Sequence, residues 1–236
     1  MGVSGLLILH IHNVDDISRY NEQKRLRERE RVFDVSELKR LAATAVARDF
    51  EDILSINKLG EGAANRAFVI SFRDGFKLVA RVPYPVTQPA QLAVASEAAT
   101  LAFLRSKDIP VPRVYGYSAT ADNPAGTEYI FMELSPGRQL STVWALMDEH
   151  DRMRFVRSLV DVEARLFNTP LPASGSLYFR RDLAPTARKL AISFLDVDQP
   201  ASLYIGPSTS LDLWYGRRSE LDVDRGPRKS STACDP

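Results

Sequence analysis

Two periodicities alternate along the chain. From Phe76 onward, Phe76, Leu78, Ala80 and Val82 fall on one side of an extended run while Lys77, Val79 and Arg81 fall on the other, the period of two that marks a strand. An apolar run from Ala67 to Phe72 precedes it, and Arg73-Asp74-Gly75 between the two is a turn signal, so they should pair as a hairpin. Ile53 to Lys58 reads as a strand before both. The period then lengthens. Pro83 and Pro85 stop the strand, and Thr87-Gln88-Pro89 opens a helix to about Arg105 with an N-cap and an early proline. That helix sets Val94, Glu97, Ala98, Leu101 and Leu104 on one face. Upstream, Asp34-x-x-Glu37 is a capping box for a helix bearing Leu38, Leu41, Ala42, Ala45 and Val46, expected to pack against the small sheet.

Further on, Ile109-Pro110-Val111-Pro112 is an extended connector to a strand near Val114 to Ser118. A polar loop, Ala119 to Thr127, leads to a strand from Glu128 to Glu133, ended by Leu134-Ser135-Pro136-Gly137. Gln139 to Glu149 and Arg152 to Asn168 read as helices. The second carries Phe155, Val156, Leu159, Val160, Leu166 and Phe167 on one side, a stripe expected inside a helical lobe. Beyond it the signal fades: Pro170 to Tyr178 is loop-like, Leu183 to Phe194 weakly helical and Gly206 to Pro227 irregular. Arg228 to Pro236 is almost free of apolar residues and reads as a disordered tail.

Composition narrows the class. The chain has 236 residues, 44% hydrophobic, and a formal charge of +1, enough to bury a core but without the basic excess of a nucleic-acid binder. Its one cysteine, Cys234, cannot form an intrachain disulfide and suits a reducing compartment. From Lys24 to Arg31 bases and glutamates alternate, which reads as a solvated face. Met1-Gly2 does not continue as a myristoylation signal, because Leu6 stands where serine or threonine is needed. Leu6 to Ile11 is too short for a transmembrane segment, and Asp15-Asp16 argues against a transit peptide.

The candidate chemistry lies between Leu59 and Glu97. Small residues in Leu59-Gly60-Glu61-Gly62-Ala63-Ala64-Asn65-Arg66-Ala67 let backbone N–H groups approach phosphate oxygens, with Asn65 at the third small position of a G-x-G-x-x-G loop. A plain glycine turn accounts for the same letters. Val79 and Arg81 should lie under this loop. Glu97 sits within an apolar stripe, which is costly unless a cation meets it, and Arg81 is the nearest candidate upstream. The alternative is that Glu97 reaches solvent from an alanine-rich helix. Loop, strand cation and helix carboxylate follow in the order that nucleotide binding requires.

These residues resemble the aminoglycoside phosphotransferase and choline kinase-like family of the protein kinase fold. Asn21-Glu22-Gln23-Lys24, Val32-Phe33-Asp34, Leu59-Gly60-Glu61-Gly62, Val79-Ala80-Arg81-Val82-Pro83, Glu128-Tyr129-Ile130-Phe131-Met132-Glu133 and Leu221-Asp222-Val223-Asp224-Arg225-Gly226-Pro227 are similar to its fungal "altered inheritance of mitochondria" branch. The resemblance implies an α+β fold: an antiparallel-sheet N-lobe with one long helix, then an incomplete, mostly helical C-lobe. It divides the chain into an extension (1–20), the N-lobe with its preceding helix (21–135), a partial C-lobe (136–227) and a tail (228–236). It implies ATP and magnesium as cofactors, with Gly60, Gly62, Asn65, Val79, Arg81, Glu97, Glu133 and Ser135 holding nucleotide. Arg81 takes the place of the usual phosphate-binding lysine, and Glu133 and Ser135 form the hinge that meets the adenine edge. Ala63-Ala64 departs from the glycine and aromatic of similar loops. The branch also implies a mitochondrial location, otherwise cytoplasmic.

Phosphoryl transfer further needs a hydroxyl-orienting aspartate and metal-binding asparagine and aspartate after the hinge. None of His10, His12 and His150 opens an H-x-D loop, and Asp52 and Asn57, though correctly spaced, precede the glycine loop. The expectation is a chain truncated before the catalytic loop and without turnover. The competing expectation is a non-catalytic, pseudokinase-like module that binds nucleotide or docks a partner or second copy through the Phe155–Phe167 helix. The acceptor alcohol is not legible.

Overall fold

The computed structural model describes residues 27–192 and 202–229. The expected extension over 1–20, the tail from residue 230 and Phe194 lie outside these. Helix α1 (Val35–Ala45) is capped by Asp34, whose Oδ1 accepts from Ser36 N at 2.8 Å and Glu37 N at 3.0 Å. A cap of this kind stabilises a helix by about 1 kcal/mol. Strands β1 (Ile53–Glu61), β2 (Asn65–Phe72) and β3 (Lys77–Pro83) are followed by helix α2 (Ala90–Ser106), β4 (Val114–Ser118) and β5 (Tyr129–Glu133). The five strands form one antiparallel sheet in the order β1-β2-β3-β5-β4.

The alternation read in β3 sorts the sheet's two faces. Phe68, Ile70, Leu78, Ala80, Val82 and Phe131 pack outward against Leu38, Ala42 and Ala43 of α1. Val79, Ile130 and Met132 point inward against Val94 and Leu101 of α2. The β2–β3 turn contains Gly75 at φ +85°, the left-handed region where glycine carries no Cβ penalty.

After the bend at Gly137 come a short helix α3 (Leu140–Val143), a single 3-10 turn, and helix α4 (Glu149–Phe167) capped by Asp148. The single helix expected over Gln139–Glu149 is therefore two short turns, because Met147 adopts an extended backbone and Asp148 starts a new helix. The apolar stripe of α4 is not inside a helical lobe: none of its residues is buried. The segments read as loop-like and weakly helical contain strands instead. β6 (Ala173–Ser174) and β7 (Ser176–Phe179) occupy the first, and β8 (Leu190–Ile192) lies in the second. β7 pairs with β9 (Leu203–Gly206), which pairs with β8 in a second sheet, while β10 (Arg228–Lys229) pairs with β6. The start of the expected tail is thus tied down.

That second sheet explains α2. Ala99 and Phe103 pack against Leu177, Phe179, Leu203 and Ile205, so the helix is apolar on the side away from the first sheet as well. A one-sided stripe was expected; the chain buries two. Its start also differs, since Pro89 is the N-cap, with no side-chain cap, and Thr87 Oγ1 donates to Ala64 O at 2.7 Å instead.

Gly175 sits at φ +149° where a Cβ would lie 2.5 Å from the Gly206 carbonyl oxygen and 2.7 Å from Ile205 Cγ2. Both neighbours belong to the second sheet and cannot swing away. Gly175→Ala is expected to destabilise the protein by about 1–3 kcal/mol, read as a lower urea midpoint with an unchanged slope.

Candidate functional site

The β1–β2 turn and the strand beneath it set the site's geometry. Gly62 N donates to Asn65 O at 2.8 Å and closes the turn, leaving Ala63 and Ala64 at an exposed tip. The Ala64 carbonyl accepts from Tyr84 N at 2.9 Å and from Thr87, which ties the tip to the segment leaving β3. A Cβ at Gly60 would meet nothing within 4 Å, and one at Gly62 would meet only Asn65 O and Oδ1 at 3.7 Å. The glycines therefore keep the approach to the backbone open; the fold itself does not require them.

Asn65 pairs with Pro83 and Ala67 with Arg81, so the base of the turn sits directly beside the strand cation. The Arg81 guanidinium donates to Glu97 Oε1, joining β3 to α2. This settles the alternative left open by the sequence: Glu97 turns toward the sheet. Burial pushes the Glu97 carboxyl above its ordinary pKa, and the charge and hydrogen bond of Arg81 offset only part of that. Val79, buried at 7%, supplies an apolar floor with Ile130 and Met132, and Leu134 packs against them. At the hinge, Glu133 N donates to Arg113 O at 2.8 Å and its carboxylate accepts from Arg113 N at 3.1 Å. Glu133 is thus committed to the β4 side, while no hydrogen bond engages the Ser135 backbone among the described residues.

Sequence reasoning missed three ion-pair or hydrogen-bond groups around this frame. Glu61 Oε1 accepts from Arg66 Nε at 2.7 Å and Lys58 Nζ at 2.9 Å. Burial pushes Glu61 up, but the bonds and charges of Lys58 and Arg66 outweigh it and hold the carboxyl below its usual value. The signal was present, because Glu61 and Arg66 flank a tight turn and must be cross-strand partners. Arg31, read as part of a solvated face, instead pairs with Glu128 in a largely buried contact. Tyr117 OH donates to Asp182 Oδ2 at 2.6 Å and accepts from Arg181 Nη2 at 2.9 Å. Burial and the Asp182 carboxylate together push the Tyr117 phenol upward. These last groups line a cavity of about 880 Å³ between α2 and β4, which includes none of the expected nucleotide residues.

Among the described residues no group of three or more His, Cys, Asp or Glu is placed to hold a metal ion, and no helix is long and apolar enough to cross a membrane. Asp52 and Asn57 lie at β1, where Asn57 Nδ2 donates to Ser55 Oγ. Arg81, a third exposed, is a cation open to an anionic group, whereas among the described residues no carboxylate cluster is placed for a magnesium ion.

Residues 55–202 match the family model of the phosphotransferase enzymes. The chain belongs to the phosphotransferase enzyme family. Its kinase-like α+β fold follows from that membership together with the sheet and helices described above. This phosphotransferase-family chain is 37% identical over 177 residues to a subtelomeric hrmA-associated cluster protein of Aspergillus fumigatus, covering 75% of this chain and 33% of that protein. It is 30% identical over 188 residues to the mitochondrial "altered inheritance of mitochondria protein 9" of Yarrowia lipolytica, covering 74% of this chain and 32% of the relative. A protein of the same name in Eremothecium gossypii is 30% identical over 184 residues. The family member described here thus spans about a third of the length of the curated relatives it matches.

The raised Glu97 pKa has a sign that can be checked. A carboxyl that binds its proton more tightly when folded makes stability fall as pH rises from the unfolded pKa through the folded one. The stability of the wild type relative to Glu97→Gln should therefore decline as pH rises above about 4.5, the ordinary value of a glutamate. Urea unfolding of both proteins across that range reads it, and a difference independent of pH would mean that Arg81 fully cancels the burial.

Proposed function

We propose that this chain binds ATP on the inner face of its first sheet and does not itself transfer the phosphoryl group. The Arg81–Glu97 pair carries the reading: a buried-side carboxylate orients a strand guanidinium next to the base of a small-residue turn. Arg81 would meet phosphate oxygens with the N–H groups it does not give to Glu97, and the loop through Gly60, Gly62 and Asn65 would cover them. Val79 and Met132 would floor the adenine, with the backbone at Ser135 meeting its edge. Residues 21–135 serve as the nucleotide lobe and 136–227 as the beginning of the acceptor side. When bound, ATP supplies an activated γ-phosphoryl group, which in this family goes to a hydroxyl acceptor. The sequence contains no H-x-D loop, and no magnesium cluster lies among the described residues to orient such an acceptor. The names of the yeast relatives support a mitochondrial location.

A thermal melt with and without ATP and magnesium tests the reading. At about 100 times the dissociation constant the gain is roughly 2.7 kcal/mol, a rise of several degrees for a domain of this size. Arg81→Ala should abolish the rise, and Gly60→Val should reduce it while leaving the nucleotide-free melt nearly unchanged, since a side chain there meets nothing in the free protein. An unshifted melt of the wild type at millimolar nucleotide would overturn it.

A further inference from the structure

The tip of the β1–β2 turn carries no side chain large enough to anchor it, since Ala63 and Ala64 are both exposed. Its hold is polar and converges on one atom. The Ala64 carbonyl oxygen accepts from Tyr84 N at 2.9 Å and from Thr87 Oγ1 at 2.7 Å, which fills both its lone pairs. The first bond continues the β2–β3 ladder, in which Asn65 pairs with Pro83. The second comes from outside the sheet, from the segment on which the chain leaves for α2.

That segment is built to deliver the hydroxyl. Thr87 N donates to Tyr84 O at 3.0 Å and closes the turn Tyr84-Pro85-Val86-Thr87, with proline at its second position, where a turn favours it. The turn stands on Tyr84, which is 1% exposed. Arg66 Cζ lies 5.7 Å from the centre of the tyrosine ring and Arg29 Cζ 5.6 Å from it. Arg66 is fixed in turn by Glu61 across the root of the same loop. Root and tip of the loop are thus both tied to one short connector, which opens the helix whose Glu97 holds Arg81. A hydrogen bond at so exposed a threonine adds little to stability, because water would serve both groups nearly as well. What it fixes is position.

We propose that Thr87 is a positioning residue of the nucleotide loop, holding the Ala63-Ala64 tip in place before the phosphates arrive. The proposal rests on the ATP reading above and adds to it the means by which the loop is kept ready. Thr87 acts through the Ala64 carbonyl. With the tip fixed beforehand, nucleotide does not have to order it, and that cost is removed from binding.

Two measurements on the wild type, Thr87→Val and Thr87→Ser test it together. Amide hydrogen exchange of the nucleotide-free protein, read by mass spectrometry on peptides across residues 60–67, reports the tip. Titration calorimetry with ATP and magnesium reports binding. Valine keeps the shape and removes the donor; serine keeps the donor. Thr87→Val should speed exchange in the loop and raise the ATP dissociation constant, each by about three- to tenfold, the worth of one hydrogen bond. Thr87→Ser should stay near the wild type in both, and circular dichroism checks that all three proteins are folded. A Thr87→Val protein that exchanges like the wild type, or that binds ATP like a wild type that binds, would overturn the proposal alone, as would a serine variant that behaves like the valine one. A wild type that binds no ATP would overturn the ATP reading and the proposal with it.

Discussion

The structure depends on one helix being dry on both sides. Helix α2 is wedged between the inner face of the five-stranded sheet and the β7-β9-β8 sheet, and the small side chains Ala95, Ala98 and Ala99 are fully covered. Close packing on two faces leaves a charged residue in the middle of such a helix with little choice. Glu97 must meet a cation or forfeit several kcal/mol of hydration, and β3 brings Arg81 to it. The ion pair is then both the consequence of the packing and the reason that a guanidinium is held beside the glycine turn.

The two sheet faces divide the work. Outward, α1 and the Glu61–Arg66 and Arg31–Glu128 pairs fix the sheet and the root of the turn. Inward, Val79 and Met132 pack toward α2 and Arg81 pairs with Glu97 of that helix. Because strand side chains alternate, Arg66 and Arg81 serve opposite faces although both lie near the loop. One cation is structural, with Arg66 nearly inaccessible; the other, a third exposed, is available.

Most of the first sheet was legible from local signals. The alternation in β3, the Asp-Gly turn, the Asp34 cap and the connector prolines each act over a few residues, and each gave its element within one or two positions. The Arg81–Glu97 pair was legible because an unexplained charge on an apolar face demands a partner. The second sheet was not. Its strands are three or four residues long and pair residues eleven to thirty positions apart, which leaves no local period to read. Thr87 misled for a related reason: its sequence context is that of an N-cap, but the Ala64 carbonyl lies within reach and takes its hydroxyl. Tyr117 and Asp182, 65 positions apart, carry no sequence signal for each other at all.

The α4 stripe shows the limit of periodicity from the other direction. Its helical period was read correctly, and burial was inferred from it, yet the chain buries none of it. Periodicity reports that a helix has an apolar side; it does not say which surface meets that side. For that, the position of charges within the stripe is the better guide. A glutamate that breaks an apolar face at α2 identified Arg81 within the chain.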